Sequence, residues 1–219
     1  MSKQGLRLAK VRIRLRERAL VAVDACVGPG EVLTVMGPSG SGKSTLLAYV
    51  AGFLDPAFSA EGQVILDGRD ITRAPPERRG VGLLFQDSLL LPHLSVAGNL
   101  LLGIPASVRG RAARRRLADE ALAGIGLSGY SAADPATLSG GQRARVALMR
   151  TLLAEPRALA LDEPFSSLDA ALRGQMRDLV FGEARRRRLP VLLVTHDADD
   201  AAAAGGPVID LAEHGGAAL

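Results

Sequence analysis

The stretch that decides the fold occupies residues 37–45 and reads Gly37-Pro38-Ser39-Gly40-Ser41-Gly42-Lys43-Ser44-Thr45. It follows a short apolar run at Val32–Met36 and precedes an apolar, helix-like run at Leu46–Ala51. The pattern G-x-x-x-x-G-K-[ST] between a strand and a helix is typical of a phosphate-binding loop. In such a loop, glycines let successive backbone N–H groups and the positive end of the next helix converge on one anion.

Two side chains complete the chemistry of this loop. Lys43 is predicted to reach the outer phosphates of a nucleotide, and the Ser44 hydroxyl is predicted to hold Mg²⁺. The chain has 24 Arg and only three Lys, so a lysine at this position is not what its composition would supply. Arg is a planar fork, whereas Lys is a compact point charge. We therefore predict nucleotide binding here rather than a simple Gly/Ser-rich turn.

Length and composition limit the class of protein. A chain of 219 residues predicts one domain with room for a small inserted subdomain. Its hydrophobic fraction is 47% and its aromatic fraction is 3%, so the core must be aliphatic. The single cysteine, Cys26, excludes an intramolecular disulfide and is predicted to be a small buried apolar residue. Met1–Gly5 is not apolar and no run of 18 apolar residues occurs, so we expect neither a signal peptide nor a membrane span.

The formal net charge of +4 comes largely from two arginine runs, Arg109–Arg116 and Arg185–Arg188. Both runs fall in predicted helices, where a solvated helix face is the ordinary interpretation. An acidic membrane surface or a partner protein is the alternative. We expect no nucleic-acid partner.

Hydrophobic periodicity predicts an antiparallel β-region followed by an α/β core. Residues 6–15 and Leu20–Val27 alternate apolar and polar side chains with period two. Further strands are predicted at Gly62–Leu66 and Val81–Phe85. The fold class is therefore α/β, a P-loop NTPase (RecA-like) core with an N-terminal antiparallel β region.

The character of the chain changes after Gln86. Residues 88–150 are predicted to be helical, with a strongly amphipathic stretch at Arg109–Ile125 that stops at Gly126. We predict a single domain over residues 1–219. Its core comprises 1–87 and 155–219, and an α-helical subdomain is inserted at about 88–154.

Other candidate site residues lie at helix starts and strand ends. Ser139 is a predicted N-cap before Gly140, Gly141 and Gln142, which makes a second potential anion site.

The apolar strand Ala158–Leu161 ends in Asp162 and Glu163, at the edge where α/β sheets bind ligands. Asp162 is predicted to support Mg²⁺ coordination, and Glu163 to polarise the attacking water as a general base. His196 follows another apolar strand and is predicted to contact the γ-phosphate.

With these motifs in this order, nearly the whole chain resembles an ATP-binding cassette, the nucleotide-hydrolysing subunit of an ABC transporter. The motifs that carry the resemblance are Walker A at Gly37–Thr45, the Q-loop Gln86, the signature Leu138–Gln142, Walker B ending at Asp162–Glu163, the D-loop Ser166–Asp169 and the switch His196. The resemblance implies ATP and Mg²⁺ as cofactors. It also implies hydrolysis of ATP to ADP and phosphate, coupled to transport.

The resemblance further implies two copies paired head to tail, in which ATP favours the closed state. Ser139, Gly140, Gly141 and Gln142 of one copy would contact the ATP held by Gly37–Thr45 of the other, and Asp169 would help to join the copies. The implied catalytic set is Lys43, Gln86, Glu163 and His196, and the implied metal set is Ser44, Gln86 and Asp162. Gln86 would also relay to transmembrane permease subunits.

Within the family, Gly80–Gln86, Leu91–His93 and Thr195–Asp197 resemble an importer. Asp134–Asp169 resembles small ATPases of thiamine importers, neighbours of the sulfate and iron(III) group. This implies a peripheral position on the cytoplasmic side of the inner membrane and an extracytoplasmic solute-binding protein in the same system. Because the chain ends soon after His196, we expect no appended regulatory domain.

Two other functions compete with transport. A soluble ABC ATPase acting on nucleic acid or ribosomes is favoured only by the basic charge. The chain has neither the sustained heptads of chromosome-type members nor the second cassette of translation-type members. An ordinary P-loop kinase would leave Ser139–Gln142 and His196 unexplained.

One departure from the family pattern generates a prediction. Family members usually place an aromatic residue upstream of the phosphate-binding loop to stack on adenine, but residues 6–30 contain no Phe, Tyr or Trp. Arg14 or Arg16 stands near that position, and a guanidinium can stack on a base. We expect weaker base discrimination, so that the Michaelis constants for ATP and GTP are comparable in a steady-state hydrolysis assay. A strong preference for ATP would contradict this hypothesis.

Overall fold

The structure, a computed structural model, describes residues 4–211 of the chain. The beginning of the segment used to predict the absence of a signal peptide, Met1–Lys3, lies outside the described residues. The strands are β1 Leu6–Leu15, β2 Arg18–Val27, β3 Val32–Met36, β4 Phe58–Leu66, β5 Arg69–Asp70, β6 Val81–Leu84, β7 Ala158–Asp162, β8 Val191–Val194 and β9 Val208–Asp210. The α-helices are α1 Lys43–Ala51, α2 Val96–Gly103, α3 Arg111–Gly124, α4 Gly140–Leu153, α5 Ala170–Arg186 and α6 Ala198–Ala204.

The predicted antiparallel β-region is confirmed as a four-stranded sheet in the order β2-β1-β4-β5. A bulge in β1 at Ala9–Lys10 shifts its register against both neighbouring strands. One extra residue reverses the alternation of a strand. The buried side chains therefore change from Leu6 and Leu8 before the bulge to Val11 and Ile13 after it.

A second, five-stranded sheet has the order β6-β7-β8-β3-β9. The pairs β7–β8, β3–β8 and β3–β9 are parallel. Strands β7, β8 and β3 are adjacent and parallel, so their carboxyl ends lie side by side at one edge. Glu163, His196 and the loop Gly37–Thr45 each follow one of these three strands, as the sequence predicts.

The chain forms two compact units. The core unit contains the described residues of Met1–Leu83, Arg157–Glu163 and Phe181–Leu219; the helical unit contains Leu84–Pro156 and Pro164–Val180. Residues 164–180 thus group with the helical unit, whereas the predicted core includes them. The domain boundaries drawn from the sequence stay a prediction.

Only three segments of the region predicted to be helical throughout form α-helices. Residues 88–95, 104–110 and 125–139 lie outside α-helix, so the prediction for 88–150 is wrong there. Proline and positive-φ glycine interrupt the helices, as at Pro105 and at Gly110, where φ is +89°. Polar side chains then bind the loop backbone. The buried Asn99 side chain donates to Leu91 O and accepts from Leu91 N, and the Arg114 guanidinium donates to Leu101 O.

Other sequence predictions need smaller corrections. Cys26 is exposed rather than buried, because Val23 and Val27 set the inward face of β2 and residue 26 alternates outward. Strand β4 begins at Phe58 rather than at the predicted Gly62. Gly62 lies inside the strand, opposite the β1 bulge, and its φ is +90°. The sequence analysis missed α6 and β9.

Over residues 4–211, no helix has the length and apolar character needed to cross a bilayer.

A buried arginine closes the C-terminal end of α1. Arg79 is only 6% exposed, and its guanidinium donates to Tyr49 O, Val50 O, Thr72 O and Ala74 O at 2.6–3.0 Å. Tyr49 and Val50 belong to the last turn of α1, where carbonyl groups lack helical partners. Burial lowers the pKa of Arg79, but a cation at a helix C-terminus is favourable. The side chain therefore ties α1 to the segment that precedes β6.

Replacing Arg79 tests this role in stability. Arg79→Met should reduce the free energy of unfolding by about 3 kcal/mol, because buried carbonyl groups lose charge-assisted hydrogen bonds. Arg79→Lys should fall between Met and wild type, since one ammonium cannot reproduce the guanidinium fork. Chemical denaturation measures the differences, with the exposed neighbour Arg78→Met as the matched control. Equal stabilities for the two methionine variants would show that Arg79 has no such role.

Candidate functional site

The loop between β3 and α1 has the backbone geometry of an anion-binding site. Gly42 is the N-cap of α1 with φ +96°, and a Cβ atom there would lie 2.7 Å from Val21 Cγ2. No other residue fits without moving β2. Helix α1 has neither a side-chain N-cap hydrogen bond nor an acidic residue in its first turn. Its first N–H groups and the positive end of its dipole are thus left for a ligand.

Lys43 lies folded over this loop. Its Nζ donates to Gly37 O at 2.8 Å and to Pro38 O at 3.0 Å, and the residue is buried. Ser41 Oγ is also buried and lacks a hydrogen-bond partner among the described residues. A buried polar atom without a partner is unusual unless a ligand or water satisfies it. The loop therefore contains a cation and a hydroxyl without a partner, and both groups are suited to binding a phosphate.

Ser44 and Asp162 meet although 118 positions separate them. Ser44 Oγ donates to Asp162 Oδ1 at 3.2 Å. Burial raises the pKa of the Asp162 carboxyl above its ordinary value; the hydrogen bond from Ser44 opposes that rise, and the charge of Glu163 adds to it. A hydroxyl and a carboxylate are the hard oxygen ligands that Mg²⁺ prefers, usually with water and substrate phosphate rather than a full protein cage. Residues 4–211 contain no group of three or more His, Cys, Asp and Glu residues that could hold a metal ion.

Glu163 directly follows β7 and contacts His196. Its backbone is left-handed with φ +45°, and its N–H donates to Val194 O at 2.9 Å. Non-glycine residues in this conformation are often found at functional sites. His196 Nδ1 lies 3.1 Å from Glu163 Oε2. The imidazole therefore lies beside one oxygen of the Glu163 carboxylate.

The helical unit presents the second predicted anion site. Ser139 is the N-cap of α4, as predicted, and forms a capping box with Gln142: Ser139 Oγ accepts from Gln142 N, and Ser139 N donates to Gln142 Oε1. A Cβ atom on Gly140 would meet nothing within 4 Å, whereas one on Gly141 would lie 2.9 Å from Leu172 Cδ2. A larger residue at position 141 would therefore require the Leu172 side chain to move. Gly140 leaves the start of α4 open to an approaching group.

Three of the predicted motifs surround one cavity in the helical unit. A cavity of about 160 Å³ is lined by Gln86, Gly140 and Ser167, together with Asp87, Ser88 and Arg143. The Asp169 carboxylate accepts from Leu172 N at 3.0 Å and so caps the first turn of α5. Residues of the Q-loop, the signature and the D-loop thus occur together in this unit.

Some relevant residues were missed by the sequence analysis. Arg143 was read only as part of a helix, although it lines this cavity. Thr195 and Asp200 are buried and joined by a hydrogen bond of 2.9 Å beside His196. The local sequence offered Asp197 as a typical N-cap residue for α6, but no common motif marks the Thr195–Asp200 pair.

The proposed base-stacking arginines lie near the end of the β1–β2 hairpin. Arg14 is exposed on β1, and Arg16 is exposed in the turn with φ +54°. Farther along β2, Leu20 and Val21 lie against Gly42. The stacking of either arginine on a base stays a prediction.

Comparisons with known proteins agree with this geometry. The family model for ABC transporters matches residues 20–166. The uncharacterised ABC transporter ATP-binding protein YnjD of Escherichia coli K12 is 50% identical over 204 residues, which cover 93% of each chain. The thiamine import ATP-binding protein ThiQ of Cereibacter sphaeroides is 47% identical over 196 residues, covering 90% of this chain and 83% of that protein.

A solved structure of an ABC transporter in an inward-facing conformation shares the fold. The two chains superpose with a TM-score of 0.78 at 23% identity, over 95% of this chain and 80% of the other. The predicted fold class, a P-loop α/β core with an antiparallel β region and helices, is confirmed. With its phosphate-binding loop, paired carboxylates and matching relatives, this chain belongs to the ABC transporter family as an ATP-binding subunit that hydrolyses ATP.

Proposed function

We propose that the chain energises solute import by ATP-driven, head-to-tail closure of two cassettes attached to separate permease subunits. The observation that carries this proposal is the division of the predicted site residues between the two units. Lys43, Ser44, Asp162, Glu163 and His196 belong to the core unit. Gln86, Ser139–Gln142 and Asp169 belong to the helical unit. Two copies in opposite orientation would let each ATP meet the core-unit set of one copy and the Ser139–Gln142 loop of the other.

In this proposal the core unit binds ATP and performs the chemistry. Lys43 and the N–H groups at the start of α1 hold the β- and γ-phosphates. The Glu163 carboxylate accepts a proton from water as the water oxygen bonds to the γ-phosphorus and the bond to the ADP oxygen breaks. His196 keeps the carboxylate in place through the Nδ1 contact and faces the γ-phosphate. Ser44 and Asp162 would hold Mg²⁺, with Gln86 as a further ligand, and the ion would supply positive charge to the phosphates.

The helical unit supplies the second surface around each ATP. Ser139 and Gln142 are already joined in the capping box, so the open start of α4 at Gly140 offers backbone N–H groups without further ordering. An N-terminus of this kind favours an anion. In the paired state this anion is the γ-phosphate bound to the other copy. Asp169 helps to join the copies.

Exposed apolar side chains on both sides of Gln86 support docking to a permease. Phe85, Leu89 and Leu91 are 43%, 54% and 36% exposed. Three exposed apolar side chains within seven residues are suited to burial against a partner. Gln86 lies among them, so a docked permease would sense the position of a residue that also faces the nucleotide. In this proposal the cassette lies on the cytoplasmic face of the inner membrane.

We propose thiamine or a related small solute as the cargo, delivered by an extracytoplasmic solute-binding protein. The support is the identity of 47% to a protein named as a thiamine import ATP-binding protein, and of 45% to that of Mesorhizobium japonicum. These relatives are transporter subunits, which favours transport over the alternative of a soluble ABC ATPase acting on nucleic acid or ribosomes. The cassette does not touch the cargo, so the permease decides the substrate.

Glu163→Gln should separate ATP binding from hydrolysis. Removal of the base should lower turnover by on the order of 100-fold or more. ATP binding should remain and a stable dimer should accumulate, visible by light scattering after size exclusion. Lys43→Ala is the matched comparison, because it should lose the ATP-dependent rise in thermal stability. Unchanged turnover in Glu163→Gln would remove Glu163 as the base.

The import proposal is tested by reconstituting the cassette with the permease subunits that co-purify with it. Proteoliposomes that contain the permease, this cassette and internal ATP should take up radiolabelled thiamine when the solute-binding protein is supplied outside. Glu163→Gln in the same preparation should abolish uptake. Uptake of another solute would refute thiamine alone. Outward movement, or stimulation of hydrolysis by DNA or RNA instead, would refute the import proposal.

A further inference from the structure

A buried carboxylate, that of Asp200, is hydrogen-bonded to the residue that precedes the histidine of the proposed active site. Asp200 is only 2% exposed, and Thr195 is 1% exposed. Thr195 Oγ1 donates its proton to Asp200 Oδ2 at 2.9 Å. A buried carboxylate is costly unless hydrogen bonds compensate it. The sequence analysis and the proposed mechanism give this residue no role.

The same hydroxyl also accepts a hydrogen bond. Asp197 N donates to Thr195 Oγ1 at 3.1 Å. The threonine hydroxyl therefore carries one chain of hydrogen bonds, from the Asp197 N–H through Thr195 Oγ1 to the Asp200 carboxylate. In an ordinary capping box, the third residue of a helix binds the N-cap N–H directly. Here Asp197 is the N-cap of α6, Asp200 is its third residue, and the threonine hydroxyl lies between them.

Further bonds fix the start of α6. The Asp197 carboxylate accepts from Asp199 N at 2.8 Å and from Asp200 N at 3.4 Å. On the other side, Thr195 N donates to Val35 O of β3 at 3.3 Å. The backbone is thus held both before and after residue 196. Since His196 itself is 62% exposed, packing contributes little to its orientation.

We propose that Asp200 is a positioning residue for ATP hydrolysis, acting through the Thr195 hydroxyl to hold His196 against Glu163. The histidine contacts the Glu163 carboxylate at 3.1 Å, so a shift of its backbone would be transmitted to the base. Small displacements of catalytic groups have large effects on rate. Asp200 acts through the backbone around His196 and not through the phosphate-binding loop in this proposal, so its effect falls on turnover rather than on ATP affinity. The inference rests on the role proposed above for His196.

Paired variants of Asp200 and Thr195 test the proposal in the full-length protein. Asp200→Ala and Thr195→Val should each lower kcat on the order of 10- to 100-fold with little change in KM for ATP. Asp200→Asn and Thr195→Ser keep an acceptor and a hydroxyl, and should restore most of the turnover. Asp199→Ala is the matched control: the same residue type is removed from the same helical turn, but its side chain is exposed. It should behave as wild type.

Combination with His196→Ala distinguishes positioning from a general loss of structure. If Asp200 acts through the histidine, Asp200→Ala should have no further effect on kcat in the His196→Ala background. Thermal unfolding with and without ATP confirms that each variant folds and binds ATP. Should Asp200→Ala fail to fold, the Thr195→Val and Thr195→Ser pair gives the same comparison.

The outcomes separate this inference from the proposed role of His196. Full turnover in His196→Ala would refute the role of the histidine and the inference with it. Reduced turnover in His196→Ala, together with an Asp200→Ala variant no slower than Asp199→Ala, would refute only the positioning role of Asp200. Additive losses in the double variant, or a rise in KM equal to the fall in kcat, would also overturn it.

Discussion

The parallel pairing of β8 with both β7 and β3 is the constraint on which the site depends. It brings together three chain segments that lie far apart in sequence and that supply the phosphate-binding loop, the two carboxylates and the histidine. The hydrogen bond between Ser44 and Asp162 is a direct result. So is the contact between Glu163 and His196. A change of strand order would leave every motif intact and separate the groups that must act together.

Local signals predicted the residues of the site but not all of their contacts. The phosphate-binding loop, the Ser139 cap and the strand ends each have a short-range cause, either a glycine conformation, a capping side chain or an apolar run. The position of β8 between β7 and β3 is a long-range property, so no window of sequence contains it. The same limit explains why Arg143 was missed, because residues distant in sequence form the cavity that it lines.

The errors in the helical region have a related cause. Composition favours helix across residues 88–150, yet prolines, Gly110 and backbone-binding side chains such as Asn99 and Arg114 hold the intervening segments as loops. At Cys26, residue type suggested burial, whereas the alternation of β2 points that side chain outward. In both places the geometry of the element outweighs the preference of the single residue. The structure also gives each unit its own part of the proposed site, which explains why one cassette carries two glycine-rich helix starts.

Arg79 has a consequence for the order in which the chain can complete its nucleotide-binding helix during synthesis. The carbonyl groups of Tyr49 and Val50 receive their buried donor only after residue 79 has been made, 28 positions beyond the end of α1 at Ala51. Before that point the ribosome holds a helix whose C-terminal end must remain hydrated. The intervening residues include β4, which pairs with β1. All of β1 to β5 must therefore be synthesised before Arg79 can close the C-terminal end of the phosphate-binding helix.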